Sequence, residues 1–153
     1  MLKAQVMTQL LSFVEWPPEA GPPGKPFDLV VMGKSPFGSY LDDYVRDRTI
    51  RHHPIRVRYL AKAGDPGACS AIFLCRSEVG RAGSVGAWAR SHQVLTLSDD
   101  EALAHQGVMV NLLMEGRFVR LAVNLQAVSA AGLSLSSRLL KNARILPPAH
   151  PNP

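Results

Sequence analysis

The stretch Gly33-Lys34-Ser35-Pro36-Phe37-Gly38 is the part of this sequence best suited to binding chemistry. It follows the apolar run Phe27 to Met32 and precedes a segment with helical spacing, so it reads as a strand-to-helix turn. Backbone N–H groups and the dipole at a helix start favour anions. In open α/β sheets, ligands bind at the carboxyl ends of strands. Lys34 and Ser35 are placed to contact an anionic group, and Phe37 to line an apolar wall. The glycine spacing is that of neither a P-loop nor a dinucleotide fingerprint. The plainer use is a tight turn in which Gly33 and Gly38 serve geometry. Ser98-Asp99 ends a second apolar run and falls on the same rim if the two strands are parallel. Its plainer use is to cap the helix that follows.

A second set is Arg117, Arg120 and Asn124. Arg120 and Asn124 are an even number of residues apart, so they share one face of a strand and offer a contact for an acidic ligand or partner. An ordinary polar sheet face is the alternative. Ser134, Ser136 and Ser137 open a helix and lack the Gly-x-Ser-x-Gly elbow of a serine nucleophile, so they read as caps. His52, His53, His92, His105 and His150 show neither the i, i+4 spacing nor the Cys/His clustering of a metal site, so no metal and no cofactor are expected. Cys69 and Cys75 flank an apolar run. Six residues of strand span about 20 Å, whereas a disulfide needs Cα atoms within about 7 Å. Two free, buried thiols are therefore expected.

These residues sit on a chain of 153 residues, 46% hydrophobic and 19% charged, which is enough for one domain with a sizeable core. No apolar run reaches the ~18 residues of a membrane span. The formal charge is +5, and the densest basic stretch runs from Arg46 to Arg58. It is broken by Pro54 and carries no zinc-finger, basic-zipper or RNA-recognition signature, so nucleic-acid binding is not expected. An anionic ligand or an acidic partner surface is a more economical use of that charge.

The spacing predicts a first helix up to Trp16, stopped by Pro17 and Pro18, with Leu2, Val6 and Leu10 in a stripe. The stripe can be buried on the chain's own sheet or on a second copy. A Pro/Gly-rich loop is expected over 17–26. Strands are expected at 27–32, 55–60, 69–75, 94–97, 108–115 and 117–125. Helices are expected around 39–46, 79–92, 99–104 and 127–131, with a last one over 134–146. Residues 147–153 form a Pro-rich tail expected to be disordered. The pattern implies an α/β fold: a central mixed sheet of about six strands with helices on both faces. One domain over 1–146 accounts for the chain.

Six stretches, in order, resemble one family. They are Phe13-Val14-Glu15-Trp16-Pro17; the strand and turn from Phe27 to Gly38; Cys69 to Leu74 followed by Ser77-Glu78; Val94-Leu95-Thr96-Leu97-Ser98-Asp99; Val119 to Leu125; and Ala131 to Ile145. Together they resemble the YfiR-like family of bacterial periplasmic regulators. The sequence departs from the family pattern at Ser70, often His there, and at Cys75, often Ser or Gly. The resemblance implies an exported, non-enzymatic protein, often a homodimer. It also implies that the partner is a membrane-bound diguanylate cyclase, restrained until an envelope signal releases it. Residues 1–16 lack the basic start and cleavage site of a secretory leader, so export rests on the resemblance. The rival reading is a cytoplasmic flavodoxin-like enzyme that binds a nucleotide or other small molecule.

Overall fold

The computed structural model describes residues 2–16, 26–62 and 64–147. The expected loop at 17–25 and the tail from residue 148 lie outside the described residues. The parity of the second apolar run organises the fold. Strand β2 (Phe27–Met32) is buried along its whole length. Leu29 and Val31 enter one core with helices α1 (Leu2–Leu11) and α2 (Tyr40–Val45). Val30 and Met32 enter a second core with α3 (Ala82–Ser91) and α4 (Glu101–Ala104). A strand apolar on both faces needs cover on both, and the two helical layers supply it.

Around β2 lie β3 (Thr49–Ile50), β4 (His53–Leu60), β5 (Ala71–Leu74), β6 (Leu95–Ser98), β7 (Val110–Glu115), β8 (Phe118–Val123) and β10 (Arg144–Ile145). Their order is β10-β8-β7-β6-β5-β2-β4-β3. Strands β4, β2, β5, β6 and β7 run parallel. β8 returns antiparallel to β7 through a two-residue turn whose first residue, Gly116, has φ +63°. The short pair β1 (Val14–Glu15) and β9 (Ser134–Leu135) stands apart from this sheet. Helix α5 (Leu125–Ala130) adds Ala127 and Val128 to the first core.

The α/β class and the two-faced cover agree with the sequence reading, but the sheet is larger, with eight strands for about six. The two extra strands are edge pairs of two residues each, β3 and β10. The first helix stops at Leu11, five residues before Trp16, and Val14–Glu15 pair with β9 instead. The expected last helix over 134–146 is split into β9, a four-residue α6 (Ser137–Leu140) capped by the Ser136 hydroxyl, and β10. There the main chain gains bonds to other segments: Ser136 N donates to Phe13 O, and Leu146 N to Val123 O. The strand between the cysteines is shorter than expected, with both cysteines just outside it. Neither cysteine is in a disulfide; Cys75 is buried, whereas Cys69 is half-buried rather than buried as expected.

Candidate functional site

The parallel strands bring their carboxyl ends to one rim. Gly33 leaves β2 with φ +103°, and its N–H donates to Leu60 O at 2.7 Å. A Cβ at this position would lie 2.6 Å from Ser77 Oγ and 2.8 Å from Glu78 Cγ, so the close approach of the two loops requires glycine. The approach lets Lys34 N donate to Ser77 Oγ at 2.9 Å. The Lys34 side chain is exposed. Ser35 Oγ accepts from Phe37 N at 3.1 Å and so shapes its own turn. Asp99 leaves β6 on the same rim, where Lys3 of α1 meets it at 3.0 Å. Asp100 caps α4 through Ala102 N and pairs with Arg76 at 3.4 Å.

The rim thus gathers Lys34, Ser35 and Asp99, with Lys3, Arg76, Ser77 and Asp100, which sequence reasoning missed. It does not gather all the residues expected there. Phe37 is only 3% exposed, and its ring meets Phe73 edge-on at 4.9 Å, so it packs in the core behind the turn. Ser98 is fully buried, and its hydroxyl donates to Asn111 Oδ1. Asn111 Nδ2 in turn donates to Val108 O and Ala122 O. This node ties β6, β7 and β8 together with its polar atoms satisfied. The cap of α4 is Asp100, not Ser98 or Asp99.

Burial pushes the Cys75 thiol up to about 12, and the Asp99 and Glu78 carboxylates add to the effect. Burial pushes Cys69 up to about 12 as well, with Arg58 opposing and Asp28 and Asp65 adding. Neither is a thiolate at neutral pH, so neither is poised as a nucleophile. Among the described residues no group of three His, Cys, Asp or Glu side chains is placed to hold a metal ion.

The second expected set does not assemble. Strand β8 stops at Val123, and Asn124 becomes the buried cap of α5, accepting from Ala127 N at 3.0 Å. Arg120 points outward and forks onto Glu115 at 3.3 Å through both Nε and Nη2. Arg117 is exposed in the turn. The even spacing of 120 and 124 holds only while the strand continues.

The opposite ends of the strands carry a feature that sequence reasoning missed. A cavity of about 460 Å³ is lined by Trp16, Asp65, Cys69, Trp88 and His92 among others. A cleft of about 270 Å³ shares Asp65 and Trp88 with it. Trp88 stacks on His92 with ring centroids 4.1 Å apart. Trp16 Nε1 donates to Ser70 O at 3.1 Å, which anchors the β1 end beside β5. Trp16 closes the first expected helix and Trp88 lies four residues before the end of the expected helix over 79–92, so nothing in their spacing brings them together.

Among the described residues no helix is long and apolar enough to cross a membrane. No protein of curated function matches the chain. A sequence profile described as YfiR/HmsC-like matches residues 1–144, nearly the whole length. The chain belongs to the YfiR/HmsC-like family.

Proposed function

We propose that this protein is a periplasmic, non-enzymatic regulator that represses a membrane-bound diguanylate cyclase until an envelope signal releases it. Cyclic di-GMP, and with it biofilm formation, is then set by the balance of the two proteins. The family match over residues 1–144 carries this reading. The site chemistry is compatible with it, because the rim's carboxylates Asp99 and Asp100 are paired with Lys3 and Arg76. The thiols Cys69 and Cys75 are held protonated by burial. The rim at Lys34, Ser35 and Asp99 is the proposed contact for a small anionic or aromatic ligand, with Phe37 and Ser98 behind it. Arg117 is the proposed contact for an acidic partner, joined by Arg120 only where that partner displaces Glu115, whereas Asn124 serves the fold. A homodimer is the proposed assembly.

The test is direct inhibition. Purified protein is added to membranes that carry the cognate cyclase, and conversion of GTP to cyclic di-GMP is followed. A dose-dependent fall in rate supports the reading. An unchanged rate at saturating protein, with the protein absent from the membrane pellet, would exclude it.

A further inference from the structure

Among the described residues the outer side of β4 is an open sheet edge. β2 pairs with one side of β4 from Ile55 to Leu60. On the other side β3 reaches only Pro54 and His53. Gly33 N donates to Leu60 O, so the polar groups of Leu60 face β2. Main-chain groups alternate sides along a strand, so those of Ile55, Val57 and Tyr59 point away from the sheet. No strand of the described residues lies beside them. Side chains alternate as well: Arg56 and Arg58 lie on one face of this edge, and Ile55, Val57 and Tyr59 on the other.

The charge on this edge is not balanced. Asp28, buried on β2, takes both forks of Arg56, at 2.5 and 2.8 Å. Arg58 Nε stands 3.9 Å from the same carboxylate and, though buried, has no hydrogen-bond partner. Its Nη2 is held instead by Pro66 O and Ala68 O. On the face of Arg56 and Arg58 one carboxylate thus serves two guanidinium groups and leaves that face positive, while on the other face Asp42 accepts from the Tyr59 hydroxyl at 3.1 Å. Like charges opposed across a strand pair are destabilising, which disfavours a second copy of β4 as the neighbour. Charged side chains on an edge also repel chance apolar strands.

We infer that the β4 edge is a strand-addition site for an extended partner segment, acidic where it faces Arg56 and Arg58 and apolar where it faces Ile55, Val57 and Tyr59. Main-chain bonds to Val57 and Tyr59 supply the affinity, and the alternation supplies the choice of partner. The inference deepens the partner reading above and rests on it only for which protein supplies the segment. Binding of a free peptide tests the edge separately from any effect on a cyclase.

The full chain is titrated with an acetylated octapeptide alternating Glu and Val, and amide hydrogen exchange is read residue by residue. Without peptide, Val57 and Tyr59 should exchange fast and Arg56 and Arg58 slowly. With peptide, Val57 and Tyr59 should slow by about tenfold or more, roughly the worth of one net hydrogen bond. A peptide with Lys for Glu should give no such protection. Val57→Pro removes an outward N–H, which edge positions tolerate, and should weaken binding by a similar factor. If that variant does not fold, exchange in the unaltered chain decides alone. Equal protection by the Lys peptide, or protection confined to other strands, would overturn the inference. So would protection that rises with protein concentration without peptide, since it would assign the edge to a second copy.

Discussion

Gly33→Ala separates two costs that the structure assigns to one position. The residue has φ +103°, where a Cβ is strained, and that strain is about 1–2 kcal/mol for an L-residue. The new Cβ also lies 2.6 Å from Ser77 Oγ, so the hydroxyl must turn away. Turning it away breaks its bond from Lys34 N, a net loss of about 0.5–1.5 kcal/mol. The sum is about 1.5–3.5 kcal/mol, or about 3–14 °C in Tm for a chain of this size. Gly116→Ala is the control: its φ is +63° and its Cβ position is open, so only the strain of about 1–2 kcal/mol applies. Urea denaturation followed by circular dichroism measures both. In a Ser77→Ala background the clash with the hydroxyl is gone, so the excess cost of Gly33→Ala over Gly116→Ala should shrink to what φ +103° and the approaches to Glu78 Cγ and Cys75 Cβ leave. Equal losses at both glycines in the unaltered background would refute the reasoning.

Four other outcomes follow from the fold and its contacts. Both thiols are raised from the usual 9 to about 12, so above pH 9 the unfolded chain loses protons that the folded chain keeps; stability should fall from pH 9 towards 12, with a smaller fall in Cys69→Ala/Cys75→Ala. Mass spectrometry of the unreduced monomer should find two free thiols or capped ones, and a loss of two hydrogens would contradict the strand between them. Deleting residues 1–12 should unfold the protein by circular dichroism, because Met7, Leu10 and Leu11 are core residues worth about 1.5–3 kcal/mol each; a folded monomer would instead return the stripe to an interface. Lys34→Ala should leave Tm nearly unchanged, because its main-chain N makes the Ser77 bond, while binding of an anionic ligand weakens in calorimetry; equal binding would move the site elsewhere.

The sequence carries the long buried strands because their signal is strong. Five apolar residues among the six from Phe27 to Met32 leave little alternative to a strand covered on both faces. Two-residue strands such as β3 and β10 have no period to detect and exist only through their neighbours. The segment 134–146 has helical spacing, yet pairing with β1 and β8 takes it, a tertiary override of local preference. At the site, Gly33 was legible as a turn, but the contact with Ser77 and Glu78 joins residues distant in sequence. Asn124 falls on a sheet face only because the expected strand, 117–125, overruns the observed end at Val123 by two residues. Leu2 and Leu10 share a helical stripe, but only packing shows that Leu10 is in the core and Leu2 is 43% exposed.

The central claim is repression from the periplasm, and cellular cyclic di-GMP tests it most directly. Deleting the coding sequence should raise the nucleotide, and a copy carrying an export leader should bring it back down. A copy confined to the cytoplasm should not. Unchanged cyclic di-GMP on deletion, or restoration by the cytoplasmic copy alone, would contradict the account.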